Sequence, residues 1–574
     1  MLVVEEKRPL VEDQVRSILY GAPDAPRVLG KVRTGHLFDA SPAWLFPNAG
    51  EINALMVTRV LSQLLAERDP SFASWQAPPN TVALQSTPAV RRTPSFCSGC
   101  PHNRSTKLPP GSRTLGGIGC HGMQLILDPA NCKTISQMGG EGAQWVGQQP
   151  FTQERHVFAN LGDGTYAHSG SLAIRHAVAA GVPITYKLLA NGFVSMTGGQ
   201  PISGGQTVPQ MVEALRADGV QRIAVVTDDL QKYAGVQFPA GVPLLPRSEM
   251  ERVQAEMREF PGVSAIIYEQ PCATERRRLR KQGQWEDPPK RSFIHSAVCE
   301  GCGDCGKVST CLSIEPLDTE FGRKRRINQS TCNKDFSCVE GFCPSFVTVH
   351  GGRLRKPEKS AAAPQRFDVP EPEQAPLAAP VHVLVGGIGG TGVVTIGQVL
   401  AMAAYVDGTP CLSLDVMGLA QKYGAVYSHL HFAPSAEQLT APRIGPGEAD
   451  TLIGCDLIVA SGDEPVSMLA PGRSRAVLCS EVTATAEFAR NPDWDASPEQ
   501  LIERVRRITG AATTLVEGQR LAVALLGDAI ACNMLMVGVA WQRGLLPLSL
   551  AAIERAIELN GVSVEMNREA FHWG

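Results

Sequence analysis

The run His156 to Leu161 predicts a strand, ending where Gly162-Asp163-Gly164 begins. A helical pattern from about Gly170 to Ala180 follows, and Ile184 to Leu189 predicts a second strand. The same alternation continues through Ser264 to Tyr268, so Phe96 to about Ala273 reads as one α/β unit. A second α/β unit opens with the strand Val381 to Val385, a glycine-rich loop and a helix to about Tyr405. Before the first unit, Met1 to Glu6 predicts an edge strand and Leu10 to Leu19 a helix with Glu12 and Asp13 in its first turn. Residues 22–95 are rich in proline and small residues and carry one helix, Glu51 to Ala66.

Between the two units, Arg291 to Gly352 holds cysteines and turns but little apolar sequence, so metal has to supply the stability its core cannot. Lys356 to Pro380 has the composition of a semi-rigid linker. The expected division is 1–25, the tail of a preceding domain; 26–95, a connecting segment; and 96–285, the first α/β domain. A cysteine-rich block at 286–355, a linker at 356–380 and a second, Rossmann-like domain at 381–574 follow.

With 574 residues, 43% of them hydrophobic, 19% charged and a net charge of −3, the chain reads as a soluble multidomain protein without a nucleic-acid or membrane partner. No cationic, apolar leader opens it, so the expected location is cytoplasmic. The nearly uncharged stretch Ala375 to Val406 contains prolines and six glycines, which argues against a membrane span. Sixteen cysteines then imply metal or redox chemistry rather than a disulfide framework. Cys411, Cys455, Cys479 and Cys532 stand among apolar neighbours as small core residues; the others crowd between 97 and 343.

Twenty-six residues separate Gly164 from Asn191, enough for one helix and one strand. The crossover therefore brings Asp163 and Asn191 to the same carboxyl edge of a parallel sheet. Two hard oxygen ligands there, with a backbone carbonyl, suit Mg²⁺ against a diphosphate that the glycines allow to approach. The spacing resembles the thiamine diphosphate motif; the plainer alternative is a strand–loop–helix with a capping Asp.

Cys97, Cys100, Cys120 and Cys272 suit a [4Fe–4S] cluster or a Cys₄ zinc site. Cys97-Ser-Gly-Cys100-Pro-His102, Gly117-Ile-Gly-Cys120, Gly162-Asp-Gly-Thr165, Asn191 to Gln200 and Gln270-Pro-Cys272 together resemble, in order, the 2-oxoacid:ferredoxin oxidoreductases, most closely their large fused indolepyruvate members. That resemblance implies an enzyme with a thiamine diphosphate-binding domain, a small Fe–S block and a gamma-type domain. It implies thiamine diphosphate at Gly162, Asp163, Gly164, Thr165, Asn191, Phe193 and Thr197, with Mg²⁺ on Asp163, Asn191 and the Phe193 carbonyl. It also implies a cluster on Cys97, Cys100, Cys120 and Cys272. Gly192 stands where the family often has an acidic residue.

Cys299-x₂-Cys302-x₂-Cys305-x₅-Cys311 and Cys332-x₅-Cys338-x₄-Cys343-Pro344 resemble a bacterial ferredoxin, in which each triple takes its fourth ligand from the other half. On that logic Cys299, Cys302, Cys305 and Cys343 hold one cluster. Cys311, Cys332 and Cys338 are left one ligand short, so either the second cluster has an unusual ligand or a single cluster forms; zinc is the alternative metal.

Gly387-x-Gly389-x-x-Gly392 follows a strand in the manner of a dinucleotide loop, yet no acidic residue stands convincingly at the end of the next strand. Met417 to His429 matches a second gamma-domain motif, so the glycines serve tight packing, an acyl carrier or a nucleotide. The basic runs Arg276 to Lys281 and Arg323 to Arg326 read as solvated faces, or as a docking site for an acidic ferredoxin. Glu141 reads as an exposed loop carboxylate, with a place facing the cofactor as the alternative.

The implied reaction is oxidative decarboxylation of a 2-oxoacid, by family an aryl pyruvate such as indolepyruvate. It yields acyl-CoA and CO₂, with electrons passing through the clusters to ferredoxin and coenzyme A as co-substrate. The glutamate that activates thiamine belongs to a domain this sequence does not contain, so no catalytic residue is assigned. A partner chain or domain in an oligomer is expected, and the chain reads as shortened at both ends relative to the fused enzyme. A non-redox thiamine decarboxylase and a catalytically silent Fe–S electron-transfer subunit are the competing classes.

Overall fold

The computed structural model describes residues 1–34, 43–75, 90–352, 369–373, 376–417 and 423–574. Much of the expected linker at 356–380, and part of the Met417 to His429 motif, lie outside them.

Helix α1 (Leu10–Leu19) forms as the pattern predicts, but Met1 to Glu6 is not a strand; only Leu2 bridges to Leu29. The cause is Glu5, whose carboxylate accepts the Val11 and Glu12 N–H groups at 2.8 and 2.9 Å and caps the helix instead of extending. Glu12, buried in the first turn, accepts from Lys31 N at 2.8 Å, so this segment ties to residues beyond 25. Helix α2 (Ala54–Ala66) starts three residues later than expected because Asn53 caps it, accepting from Met56 N at 3.0 Å.

The first sheet has seven strands: β1 (Thr114–Gly116), β2 (Cys132–Ile135), β3 (Val157–Gly162), β4 (Ile184–Ala190), β5 (Arg222–Thr227), β6 (Leu244–Pro246) and β7 (Val263–Glu269). Their order is β6-β5-β7-β4-β3-β1-β2, all parallel. Every residue of β4 is buried, the continuous apolar signature of a parallel strand covered on both faces. From β3 the chain passes through a short π turn into α3 (Ser171–Ala180) and returns as β4 directly beside β3, with Gly162 paired to Leu189. The carboxyl ends of these neighbours carry Asp163 and Asn191.

Helix α4 (Ala273–Lys281) leaves the sheet at Cys272 and leads to two antiparallel ribbons, β8 (Lys290–Ile294) with β11 (Phe346–His350) and β9 (Ile314–Thr319) with β10 (Gly322–Ile327). The second domain has β12 (Val381–Ile388), α5 (Val393–Val406), β13 (Cys411–Val416), β14 (Ala425–Phe432), β15 (Thr451–Gly454), β16 (Arg475–Cys479) and β17 (Thr513–Val516), in sheet order β13-β14-β12-β15-β16-β17. Strand β14 runs antiparallel between β12 and β13, so the strand after α5 is not adjacent to the glycine loop. Asp415, near the end of β13, accepts the Ser428 hydroxyl at 2.5 Å. Cys455, Cys479 and Cys532 are buried in this domain as expected, and Cys411 is half-buried.

Charged side chains fasten these parts together. Arg92 binds Asp456 through two hydrogen bonds of 2.9 and 3.0 Å and donates to the Thr483 carbonyl at 2.6 Å, with both side chains almost fully buried. The basic runs expected at the surface do the same work. Arg276 pairs with Asp228 at 3.0 Å, and Arg280 donates to the Asn333 carbonyl at 2.8 Å. Arg325 is buried over the Phe488 ring at 4.1 Å, and Arg323 donates to the Trp494 carbonyl at 2.8 Å. Arg280, Arg323 and Arg325 bind the cysteine block to both α/β domains, while Arg278, Lys281 and Arg326 remain exposed. Arg92→Ala leaves Asp456 buried without its cation and is expected to cost about 3–5 kcal/mol. The urea midpoint of the second domain reports it, and a wild-type midpoint would show that the pair holds nothing.

Candidate active site: a carboxylate edge beside three cysteine groups

Asp163 ends β3 with its carboxylate turned inward. One oxygen accepts the N–H groups of Asn191 and Gly192, each at 2.8 Å, and the other accepts Gly164 N at 2.9 Å. Burial pushes its carboxyl up to about 6, against these three bonds, which favour the charged form. Gly192 has φ +81, a conformation open to glycine and strained for the acidic residue expected there. The Asn191 side-chain oxygen accepts Phe193 N and the Ser195 hydroxyl, both at 3.0 Å, and that hydroxyl also reaches the Phe193 carbonyl at 3.3 Å. Two hard oxygens, Asn191 Oδ1 and Phe193 O, thus converge on one point beside a third from Asp163, a donor set that fits Mg²⁺. A Cβ built at Gly162 or Gly164 meets one atom each, at 3.6 Å, so open room lies beside this loop. Thr165 is buried and reaches the Ile118 carbonyl at 3.4 Å. Thr197 is exposed and bonds Gln200 at 2.8 Å rather than joining the Asp163 cluster.

The Asn191 carbonyl accepts the N–H of Cys272 at 3.3 Å. A pocket with about 310 Å³ of empty space, its open mouth included, is lined by Cys97, Cys100, Cys120 and Cys272 together with Asn191 and Ser195. The Thr274 hydroxyl donates to Cys97 Sγ at 3.4 Å and His102 N–H to Cys100 Sγ. Burial and the three neighbouring thiols push Cys100 well up, so a thiolate here calls for a cation among these sulfurs. Among the described residues no three His, Cys, Asp or Glu side chains converge closely enough to chelate a single metal ion.

In the cysteine block, Cys305 feels Cys299 and Cys343, and Arg325 feels Cys299, Cys302 and Cys305. Cys338 feels Cys311, Cys332 and Cys305. Burial pushes Cys305 up to about 11 and Cys311 to about 12. The loop between Cys97 and Cys100 enters this block: Ser98 Oγ meets Ser313 Oγ at 2.8 Å, Asn333 donates to the Ser98 carbonyl at 2.8 Å, and Gly99 N–H points to Cys311 Sγ. Tyr423, from the second domain and with φ +61, hydrogen-bonds Ser98 within electrostatic reach of Cys97 and Cys311.

Several residues of the site carried no sequence signal strong enough to place them. Glu141 is 1% exposed, not a surface carboxylate; it accepts Gly139 N at 2.8 Å and packs against Gly117. His121 is buried with Nε2 unpartnered beside Gly162, and burial lowers it to about 4, so it is neutral near pH 7. Lys187 is buried within β4 and donates to the Ser105 carbonyl at 2.6 Å and Gln254 at 3.2 Å, supporting the turn that follows Cys100. Their signal is a polar residue inside an apolar run, as Lys187 is in Ile184 to Ala190.

Comparison with known proteins agrees with this arrangement. Family models match in chain order: an indolepyruvate oxidoreductase domain over 1–82, the C-terminal TPP-binding domain of thiamine pyrophosphate enzymes over 117–237, and pyruvate ferredoxin/flavodoxin oxidoreductase over 382–574. In these three stretches the chain is similar to 2-oxoacid oxidoreductases of the indolepyruvate type. Indolepyruvate oxidoreductase subunit IorA of Thermococcus kodakarensis is 24% identical over 55% of this chain and 53% of its own length. The Archaeoglobus fulgidus IorA is 26% identical over 63% of this chain and 52% of its own length. Subunit IorB of the latter organism is 25% identical over 34% of this chain and 93% of its own length. The chain thus spans about half of the IorA relatives it matches and joins to that an IorB-like part. Among solved structures, the gamma subunit of a keto/oxoacid ferredoxin oxidoreductase from Geobacter sulfurreducens is 20% identical, covering 34% of this chain and 95% of its own, with a TM-score of 0.24. The 2-oxoglutarate:ferredoxin oxidoreductase of Magnetococcus marinus is 18% identical, covering 34% of this chain and 71% of its own, with a TM-score of 0.25.

Burial lowers Lys187 to about 7, so its protonation costs the folded chain more than the unfolded one. The stability it allows at high pH is lost as the pH falls from about 10 to about 7. Lys187→Met is expected to gain more over the wild type in urea midpoint at pH 7 than at pH 9.5. A difference independent of pH would contradict the lowering of Lys187 by burial.

Proposed function

We propose that this chain is the diphosphate-binding and electron-accepting part of a 2-oxoacid:ferredoxin oxidoreductase. It acts on an aryl pyruvate such as indolepyruvate and releases acyl-CoA and CO₂. The observation that carries this is Asn191, whose N–H is held by Asp163 and whose carbonyl holds Cys272. A metal–diphosphate site and a set of cysteine thiols are thereby set one residue apart.

Asp163, Asn191 and the Phe193 carbonyl hold Mg²⁺, and Gly162 and Gly164 leave the diphosphate room. Bound there, thiamine diphosphate supplies an electron sink for decarboxylation, and a four-iron cluster supplies one-electron acceptance. Cys97, Cys100, Cys120 and Cys272 hold that cluster within the pocket that Asn191 lines. Ser98 and Gly99 join the loop between Cys97 and Cys100 to the cysteine block through hydrogen bonds to Ser313, Asn333 and Cys311, and that block would pass electrons to a ferredoxin-like acceptor. Neutral His121 offers an uncharged imidazole beside Gly162. The group that activates the cofactor comes from a partner domain or chain.

Anaerobically purified chain is expected to contain iron and acid-labile sulfide, and to reduce viologen on addition of indolepyruvate once that partner is present. Clusters without such reduction, alone or with the partner, would favour an electron-transfer subunit; absence of iron would sink the proposal. Asp163→Asn is expected to weaken Mg²⁺-dependent thiamine diphosphate binding roughly 100-fold, measured by calorimetry, with iron content unchanged. Wild-type binding in this variant would remove Asp163 from the site.

A further inference from the structure

The cysteine block offers seven cysteines where two four-iron clusters require eight ligands. Cys299, Cys302, Cys305 and Cys343 form one complete group. Cys311, Cys332 and Cys338 form the other, and its missing corner has a candidate. The sequence Cys332-Asn-Lys-Asp335-Phe-Ser-Cys338 repeats the x₂–x₂ spacing of Cys299, Cys302 and Cys305 with an aspartate in the middle position. We propose that Asp335 is the fourth protein ligand of a second iron–sulfur cluster, completing the set of Cys311, Cys332 and Cys338. This rests on the block being a cluster carrier and adds a ligand that cysteine spacing alone leaves out.

The fold turns Asp335 toward these thiols. Both its neighbours adopt left-handed backbone, Lys334 at φ +57 and Phe336 at φ +59, which side-chain-bearing residues rarely do. Its side chain is 13% exposed and lies against Gly99, where a Cβ would stand 2.8 Å from Oδ1. The N–H of that same glycine points to Cys311 Sγ, so one backbone unit touches both ligands. Asp335 is also within electrostatic reach of Cys332 and Cys338. Its ion-pair contact among the described residues is a long one, Arg247 at 3.9 Å, so the carboxylate is not consumed by a salt bridge.

The surroundings are those of an anionic cluster. Arg277 and Lys334 act on Cys332, Arg280 feels that thiol, and Lys334 N–H bonds its sulfur. Ser313 N–H bonds Cys311. The Ser337 hydroxyl, buried between Asp335 and Cys338, has no partner, an orphan donor that a bridging sulfide would satisfy. Backbone N–H donors, nearby cations and a hard oxygen at one corner are the elements that tune such a cluster.

The test uses the full chain, reconstituted anaerobically with iron and sulfide and followed by iron count, EPR and Mössbauer spectroscopy before and after mild oxidation. Asp335→Ala is expected to lose one iron per chain on oxidation and to show the paramagnetic signal of a three-iron cluster, with the other clusters unchanged. Asp335→Cys is expected to keep the wild-type iron count and to replace the oxygen-ligated signature by an all-thiolate one. Identical iron content and spectra in wild type and Asp335→Ala after oxidation would overturn the assignment. So would a wild-type chain whose clusters are accounted for by Cys97, Cys100, Cys120, Cys272, Cys299, Cys302, Cys305 and Cys343. A chain that takes up no iron would overturn the cluster reading of the block itself, a different and earlier failure.

Discussion

Asn191 has to satisfy three neighbours at once, and much of the site's geometry follows from that. Its N–H goes to the Asp163 carboxylate, its side-chain oxygen closes the turn through Phe193 and Ser195, and its carbonyl takes the N–H of Cys272. The first bond ties it to the end of β3 and the last to the end of β7, with β4 lying between those strands. Moving any of these loops breaks a bond of a buried or half-buried group, which costs more than an exposed one. The parallel sheet makes the constraint affordable, because its register already sets the three strand ends side by side.

The second organising feature is the use of charge in the interior. Arginines pair with carbonyls and carboxylates across domain boundaries: Arg92 with Asp456 and, from runs that look like solvated surface, Arg280 with Asn333 and Arg323 with Trp494. A block with so small an apolar core gains little from hydrophobic burial. Directional contacts to larger neighbours fix its position instead.

What could be read from the chain was what depends on local spacing. The separation of Gly164 from Asn191 implies a strand, a helix and a strand, and the right-handed crossover then dictates which ends meet. The buried character of Cys455, Cys479 and Cys532 follows from their apolar neighbours in the same way. What could not be read depends on partners distant in sequence. Glu5 reads as part of a strand, yet its capping of Val11 and Glu12 competes with extension. Glu141 reads as a surface residue because nothing local announces its packing on Gly117. Asp335 sits at a spacing visible in the sequence, but a carboxylate between two cysteines gains meaning only once Gly99 and Cys311 are seen beside it.

The central claim is that the diphosphate edge and the first cysteine group form one site. Its most direct test is the EPR spectrum of the reduced chain, titrated with Mg²⁺ and thiamine diphosphate. Binding should perturb the signal of the cluster held by Cys97, Cys100, Cys120 and Cys272, with the same midpoint as calorimetric binding, because Asn191 contacts both. Cofactor binding that leaves every cluster signal unchanged would contradict the account.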